Sequence, residues 1–249
     1  MKVKCHKMDV LNYMISTEKF KVIFILIIIL ALYGSVVLGV SSYNFLDSIL
    51  IPLQFGLFNI FMFILLFINT FNTCTTFNKN FSHYIMRLDN KKNYVKTMLK
   101  NTIFLNLYFF LLFFILFFAL LFLFKAGHIE IHSYQNYVIN NLIYVLYYVI
   151  KYIVLAIFIT SFSALSYLYF GGKITLLFNT LFLVGFTAIP FYDSIFNYPT
   201  LIPWHHFMGI SYSSFLTEIA STALLLFVLE LLFYGFYTFI IKKGKIIIL

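Results

Sequence analysis

Lys151, Glu218 and Glu230 carry the sharpest chemical signal in this chain, because each stands in or beside a long apolar run. An ionisable side chain inside a membrane is costly and is a functional candidate by default. Glu230 precedes Lys242 by twelve residues, roughly 18 Å along a helix that rises about 1.5 Å per residue. That depth is near mid-bilayer. Lys151 precedes Lys173 by twenty-two residues, roughly 33 Å by the same rise, so it belongs near the far surface, where its amine can snorkel. Glu218, roughly 36 Å above Lys242, is the acid whose depth matches Lys151. Glu230 has no matching base. It is expected to be protonated, bonded to a nearby Tyr or Asn, or in contact with a permeating species or a proton.

Other reactive residue types are present without a working pattern. His205 and His206 are adjacent and so do not share a helical face, and no HExxH spacing accompanies them. His128 and His132 stand at i and i+4, two potential ligands without a third. Cys5 and Cys74 fall on the side expected to be cytoplasmic, where thiols stay reduced, so neither a disulfide nor a metal site is expected. There is no GxxxxGK[ST] loop, no GxSxG elbow and no Cys–His pair placed for nucleophilic chemistry. No catalytic group is assigned, and the chain is read as neither an enzyme nor a holder of its own cofactor.

The elements that would position these residues follow from composition. Of 249 residues, 63% are apolar and only 10% are charged, against roughly 45–50% and about 25% in soluble domains. The mean hydropathy is +0.98. Only helix bundles and closed barrels satisfy their backbone polar groups in lipid, and the continuous apolar runs exclude the short alternating strands of a barrel. The expected fold is an all-α integral membrane bundle in a single domain. Six spans can be drawn, at about Val22–Val40, Ile49–Asn72, Ile103–Phe124, 146–170 (within Leu142–Phe170), Ile174–Phe191 and Ala220–Ile241. Each approaches the ~20 apolar residues that cross a core of about 30 Å. The first is too long for the core of a cleaved signal peptide. The 34 Phe and 19 Tyr residues fit either AT-rich coding or an aromatic-lined path.

Charge gives the orientation. Fifteen of the 17 basic residues fall before span one, between spans two and three, at Lys173, or after span six. Lys125 and Lys151 are the exceptions. By the positive-inside rule both termini are cytoplasmic. The asymmetry also accounts for the net charge of +9 without nucleic acid, which is not expected as a partner.

Three segments outside the spans stand out. In the leader, Met8, Leu11, Met14 and Ile15 recur at helical spacing. They predict an amphipathic helix over about 1–21 lying in the inner lipid interface, or else a basic leader that only sets topology. Between spans two and three, Phe81, Tyr84, Ile85 and Leu88 line one face, Asp89–Asn93 interrupts the apolar pattern, and Tyr94, Val95, Met98 and Leu99 resume it. This predicts a short amphipathic helix, a polar turn and the start of span three. Such a helix suits docking into a groove on another protein, or a basic loop resting on anionic lipid. Between spans five and six, Pro190, Pro199, Pro203 and Trp204 predict short helices dipping into the outer leaflet, with Trp204 as an interfacial anchor.

This layout resembles the type-2 ABC transporter permeases. SHYIMRLDNKKNYVKTMLKN resembles their inner coupling helix and its exit, and NYPTLIPWHHF resembles their external re-entrant hairpin. The resemblance implies the membrane subunit of an exporter, paired with a second copy or a related permease. A separate cytoplasmic ABC ATPase subunit would bind ATP and Mg. It further implies that Phe81, His83, Tyr84, Arg87, Asp89, Lys91 and Lys92 couple to that ATPase, and that spans two and five line the path between subunits. The lead-in helix, with Glu18 as its acidic residue, would form an interface, and Trp204, His205 and His206 would form an external gate. A peptide, a bacteriocin or a hydrophobic drug-like molecule is the implied cargo, and a bacterial plasma membrane the implied location. The alternatives are an ion-coupled carrier using Glu230, or a membrane immunity protein without transport.

Overall fold

The computed structural model describes residues 18–38, 45–88, 91–125, 140–195, 206–207 and 214–243. Side chains are described throughout these except at 18–20, 38, 80–88, 91, 125, 186–195 and 243. The described residues form α1 (Glu18–Leu32), a π-helical turn (Tyr33–Leu38), α2 (Phe45–Gln54), α3 (Gly56–Leu88), α4 (Lys91–Lys125), α5 (Asn141–Phe170), α6 (Gly172–Ile195) and α7 (Phe215–Lys243). No strand occurs among them.

Four helical stretches are long and apolar enough to cross a membrane: Gly56–Lys79, Lys92–Phe124, Asn141–Phe170 and Phe215–Lys242. They correspond to the expected spans two, three, four and six. The regions of spans one and five are helical too, but their apolar stretches among the described residues are shorter, at Lys21–Val37 and Gly172–Gly185. α6 continues through Pro190 to Ile195, where the sequence suggested the external segment begins.

Two expectations about the second span need correction. It was drawn as one helix over Ile49–Asn72, but the chain breaks at Phe55. Pro52 lies inside α2 and has no N–H to donate. The side-chain amide of Asn59 reaches back across the break, donating from Nδ2 to the Leu53 carbonyl at 2.9 Å. At its other end the span does not give way to a separate short helix. α3 runs unbroken to Leu88 and α4 starts at Lys91. No Gly or Pro occurs between Leu57 and Leu88, so nothing in the backbone stops the helix where its apolar pattern fades. The 33 residues of α3 extend about 50 Å, roughly 20 Å more than a ~30 Å core. The segment expected to form a separate short helix is therefore the continuation of α3.

The link between α5 and α6 is a short turn at Gly171. Gly171 takes φ 78°, the one positive φ among described glycines, a conformation that side chains disfavour. Its N–H closes the helix on the Tyr167 carbonyl at 3.0 Å. Gly172 has a different constraint: a Cβ there would lie 3.1 Å from the Phe71 ring on α3.

The core is aromatic. Phe58 and Phe63 of α3, Phe109, Phe113 and Phe117 of α4, and Tyr148 and Tyr152 of α5 are all buried. Many of these rings meet in tilted or edge-to-face pairs, such as Phe63–Phe207 at 4.9 Å and Phe110–Tyr152 at 6.3 Å. Packing of this kind, with interhelical hydrogen bonds, drives helix association where lipid replaces water. Asn69 donates to Asn106 at 2.7 Å, and Asn106 to Thr70 at 3.0 Å, joining α3 to α4. Tyr94 donates to Asn78 at 3.0 Å. Hydroxyls within the helices satisfy themselves on carbonyls one turn back, as Ser35 does on Ala31 at 2.7 Å and Thr160 on Ala156 at 2.9 Å.

Gly34, in the π-helical turn, is packed most tightly. A Cβ there would stand 2.9 Å from Phe58 and 3.2 Å from Phe117, both rings fully buried. Gly34→Ala is expected to destabilise the fold by about 1–3 kcal/mol, the usual effect of overpacking. Gly235→Ala, where a Cβ would meet nothing within 4 Å, is expected to leave the unfolding midpoint unchanged or slightly raised. Equal midpoints for the two variants would contradict this packing.

Candidate functional site

The first turns of α7 and the N-terminal third of α5 enclose a buried ionic cluster. α5 presents Tyr144, Tyr148, Lys151 and Tyr152 at helical spacing, so they share a face. Asn140 starts that helix, its side chain accepting from the Leu142 N–H at 2.8 Å. α7 begins just after Ser214, whose Oγ accepts from the Thr217 N–H at 3.2 Å, while Thr217 Oγ1 accepts from the Ser214 N–H at 3.1 Å. This reciprocal cap fixes the first turn, where Glu218 sits and where the helix dipole favours an acid.

Lys151 Nζ donates to Glu218 Oε1 at 2.6 Å. Lys151 is 4% exposed and Glu218 1%. The ammonium also lies 4.3 Å from the centre of the Tyr148 ring, a cation–π contact that strengthens as water is excluded. The Tyr144 hydroxyl donates to Glu218 Oε2 at 3.3 Å. Four residues on, Thr222 Oγ1 donates to the Glu218 carbonyl at 2.9 Å, lies 2.8 Å from the Tyr147 hydroxyl, and lies 3.3 Å from His206 Nδ1. Ser221 Oγ lies 3.5 Å from His206 Nε2. The Tyr148 hydroxyl donates to the Phe207 carbonyl. The Tyr152 hydroxyl donates to Asn59 Oδ1 at 2.7 Å, so the network continues into the α2–α3 break. An acid, a base, an imidazole and bridging hydroxyls thus stand in one apolar surrounding. The arrangement can hold a charge pair away from water and pass protons between neighbouring hydroxyls. It also ties α7 to α5, and α7 is otherwise mostly outside the bundle, with only 11% of its apolar window buried.

The residues singled out in the sequence are distributed as follows. Lys151 and Glu218 meet, as their depths suggested. His206 joins their cluster; Trp204 and His205 lie outside the described residues. Glu230 is exposed on α7, away from this network. Phe81, His83, Tyr84 and Arg87 lie on the last turns of α3, and Lys91 and Lys92 open α4; Asp89, between them, lies outside the described residues. Lys92 is exposed. Glu18 is the first residue of α1, while Met8, Leu11, Met14 and Ile15 lie outside the described residues, as does Cys5. Cys74 is a buried free thiol. The tyrosines at 144, 148 and 152 were missed as site residues. Their i, i+4 spacing around Lys151 was the available signal.

A second feature lies between α3 and α6. Ile64, Phe67, Ile68, Phe71 and Asn72 face Leu176, Asn179, Thr180 and Leu183 across a cleft of about 210 Å³. Asn179 is 4% exposed, and neither Nδ2 nor Oδ1 has a hydrogen-bond partner.

The fold defines a helical chain whose apolar helices are consistent with a membrane protein. No family model, no curated protein and no solved structure matches it. The resemblance to type-2 permeases thus stands on the layout of the sequence.

Proposed function

We propose that this chain is the membrane subunit of an ATP-driven exporter. The observation that carries the reading is the helical hairpin made by α3 and α4. Both helices, of 33 and 35 residues, outlast a ~30 Å bilayer core by roughly 20 Å, and they join at residues 89–90. The overhanging part holds Lys79, Arg87, Lys91, Lys92, Lys96 and Lys100, which by the positive-inside rule puts it in the cytoplasm. A stiff extension of two spans transmits a push at its tip to the bundle, as a loop does not. An ATPase seated on this tip, closing on ATP and Mg, would shift the bundle between inward-open and outward-open states. A second copy or a related permease would complete the path, with a peptide, a bacteriocin or a hydrophobic drug-like molecule as cargo.

The test is charge reversal at the tip. Arg87→Glu with Lys91→Glu is expected to lower the co-purifying ATPase at least about tenfold, the size expected from losing two charged contacts, while the chain still inserts. Glu230→Gln, on a different helix, should leave that ATPase bound. Undiminished ATPase in the charge-reversed variant would remove the hairpin from docking.

The buried Lys151–Glu218 pair favours a second reading, an ion-coupled carrier, since intramembrane ionisable groups often mark proton relays. Transport abolished by a protonophore but untouched by depletion of ATP would favour that reading.

A further inference from the structure

We propose that two copies of this chain pair in the membrane along α7, with Glu230 of each accepting a hydrogen bond from the Tyr234 hydroxyl of the other. Three ionisable residues stand in the interior of the long apolar helices, and they are treated differently. Lys151 and Glu218 are buried and paired with each other at 2.6 Å. Glu230 is exposed and has no hydrogen bond or ion pair among the described residues. It stands twelve residues from both Glu218 and Lys242, roughly 18 Å from either end of the span, too deep for its short side chain to snorkel to water. A carboxyl held there against lipid chains is costly, and nothing among the described residues relieves it.

The face that bears Glu230 is complementary to itself. Leu216, Ala220, Ala223, Phe227, Glu230 and Tyr234 are all exposed and recur at alternating steps of four and three residues, the spacing of a seam between two helices. The opposite face carries Glu218, Thr222 and Leu225 into the bundle. The two alanines let a neighbouring backbone approach closely. Tyr234 is 66% exposed, and because helical side chains lean toward the N-terminus, its hydroxyl reaches the level of the Glu230 carboxyl. A two-fold axis brings the same residues of both copies together, so one donor and one acceptor on a single face become two bonds between copies. A partner of another sequence would have to supply a donor at mid-depth independently, whereas a second copy supplies it by symmetry. Polar side chains of this kind hold transmembrane helices together. α7 also has the free surface to pair: 11% of its apolar window is buried, against 33–61% in the other three long spans.

Pairing on α7 needs neither an ATPase nor a cargo. It is separate from the transport reading, whose type-2 layout implies that spans two and five line the path between subunits, so each stands or falls on its own result.

The experiment uses the full chain with Cys5→Ser, reconstituted without ATPase into phosphatidylcholine vesicles over a series of protein densities. Phe227 and Leu232 are equally exposed, at 58%, but five residues apart, so about 140° apart around the helix. Each is replaced by Cys in turn, and the vesicles are oxidised with iodine, which enters the bilayer. Phe227→Cys is expected to form a disulfide-linked dimer and Leu232→Cys to stay monomeric. Adding Glu230→Leu to Phe227→Cys is expected to raise the density needed for half cross-linking about tenfold, the shift that lost hydrogen bonds between membrane helices predict. Tyr234→Phe is expected to act in the same direction, whereas Glu230→Gln, whose amide oxygen still accepts, is expected to preserve the dimer. Equal cross-linking at the two positions would overturn the proposal, as would a dimer unmoved by Glu230→Leu and by Tyr234→Phe. A folded chain that stays monomeric at every density would overturn it as well.

Discussion

Glu218→Gln is expected to destabilise the folded chain by roughly 3–5 kcal/mol, the range for stripping one partner from a buried ion pair. The geometry gives the reason. Glu218 is the acid within reach of Lys151, at 2.6 Å, and the amine is buried beneath tyrosine rings. The stem of Lys151 can still snorkel toward the surface, which favours the lower end of that range. The sharper prediction concerns the pair. Lys151→Met combined with Glu218→Leu is expected to recover most of the loss, because apolar residues of similar volume replace a buried pair at little or no cost. Thermal unfolding midpoints of the two single variants and the double variant form a cycle that isolates the coupling. Additive effects would mean that the pair does not hold α7 to α5.

Asn59→Leu is expected to cost about 2–4 kcal/mol, since it strands two buried groups at once. Its Nδ2 satisfies the Leu53 carbonyl at 2.9 Å, and its Oδ1 accepts from Tyr152 at 2.7 Å. The side chain is fully buried, and leucine fills similar space without either bond. Tyr152→Phe removes one of the two bonds and is expected to cost about 1 kcal/mol. If Asn59→Leu proves as mild as the ~0.6 kcal/mol average for polar contacts between membrane helices, the chain break at Phe55 is held by packing rather than by this amide. The measurement is again the unfolding midpoint, read for both variants in the same detergent.

The meeting of Lys151 and Glu218 was legible in the sequence because each could be counted from a basic anchor at the far end of its own helix. The short link between α5 and α6 was legible because the apolar runs stop at Phe170 and resume at Ile174, with Lys173 between them. Other features were hidden for physical reasons. Hydropathy reports where lipid ends, not where a helix ends, so the polar residues from Asn78 onward read as a break although α3 continues through them. The reverse error occurs at Phe55: the apolar run continues across it although the helix stops at Gln54. The tyrosine ladder on α5 looked like part of a general aromatic bias, and only its placement opposite Glu218 and Phe207 distinguishes it. The unpaired amide of Asn179 depends on what α3 places opposite it, and no local pattern carries that information. The placement of Glu230 on an exposed face of α7 likewise depends on how that helix packs.

The measurement that tests the central reading most directly is purification of the tagged full-length chain from its native membrane in mild detergent, with mass identification of stoichiometric partners. The account predicts a co-purifying soluble subunit that carries a GxxxxGK[ST] loop and is lost when Arg87 and Lys91 are both replaced by Glu. Repeated recovery of the chain with no ATPase, under conditions that preserve the Lys151–Glu218 fold, would contradict it.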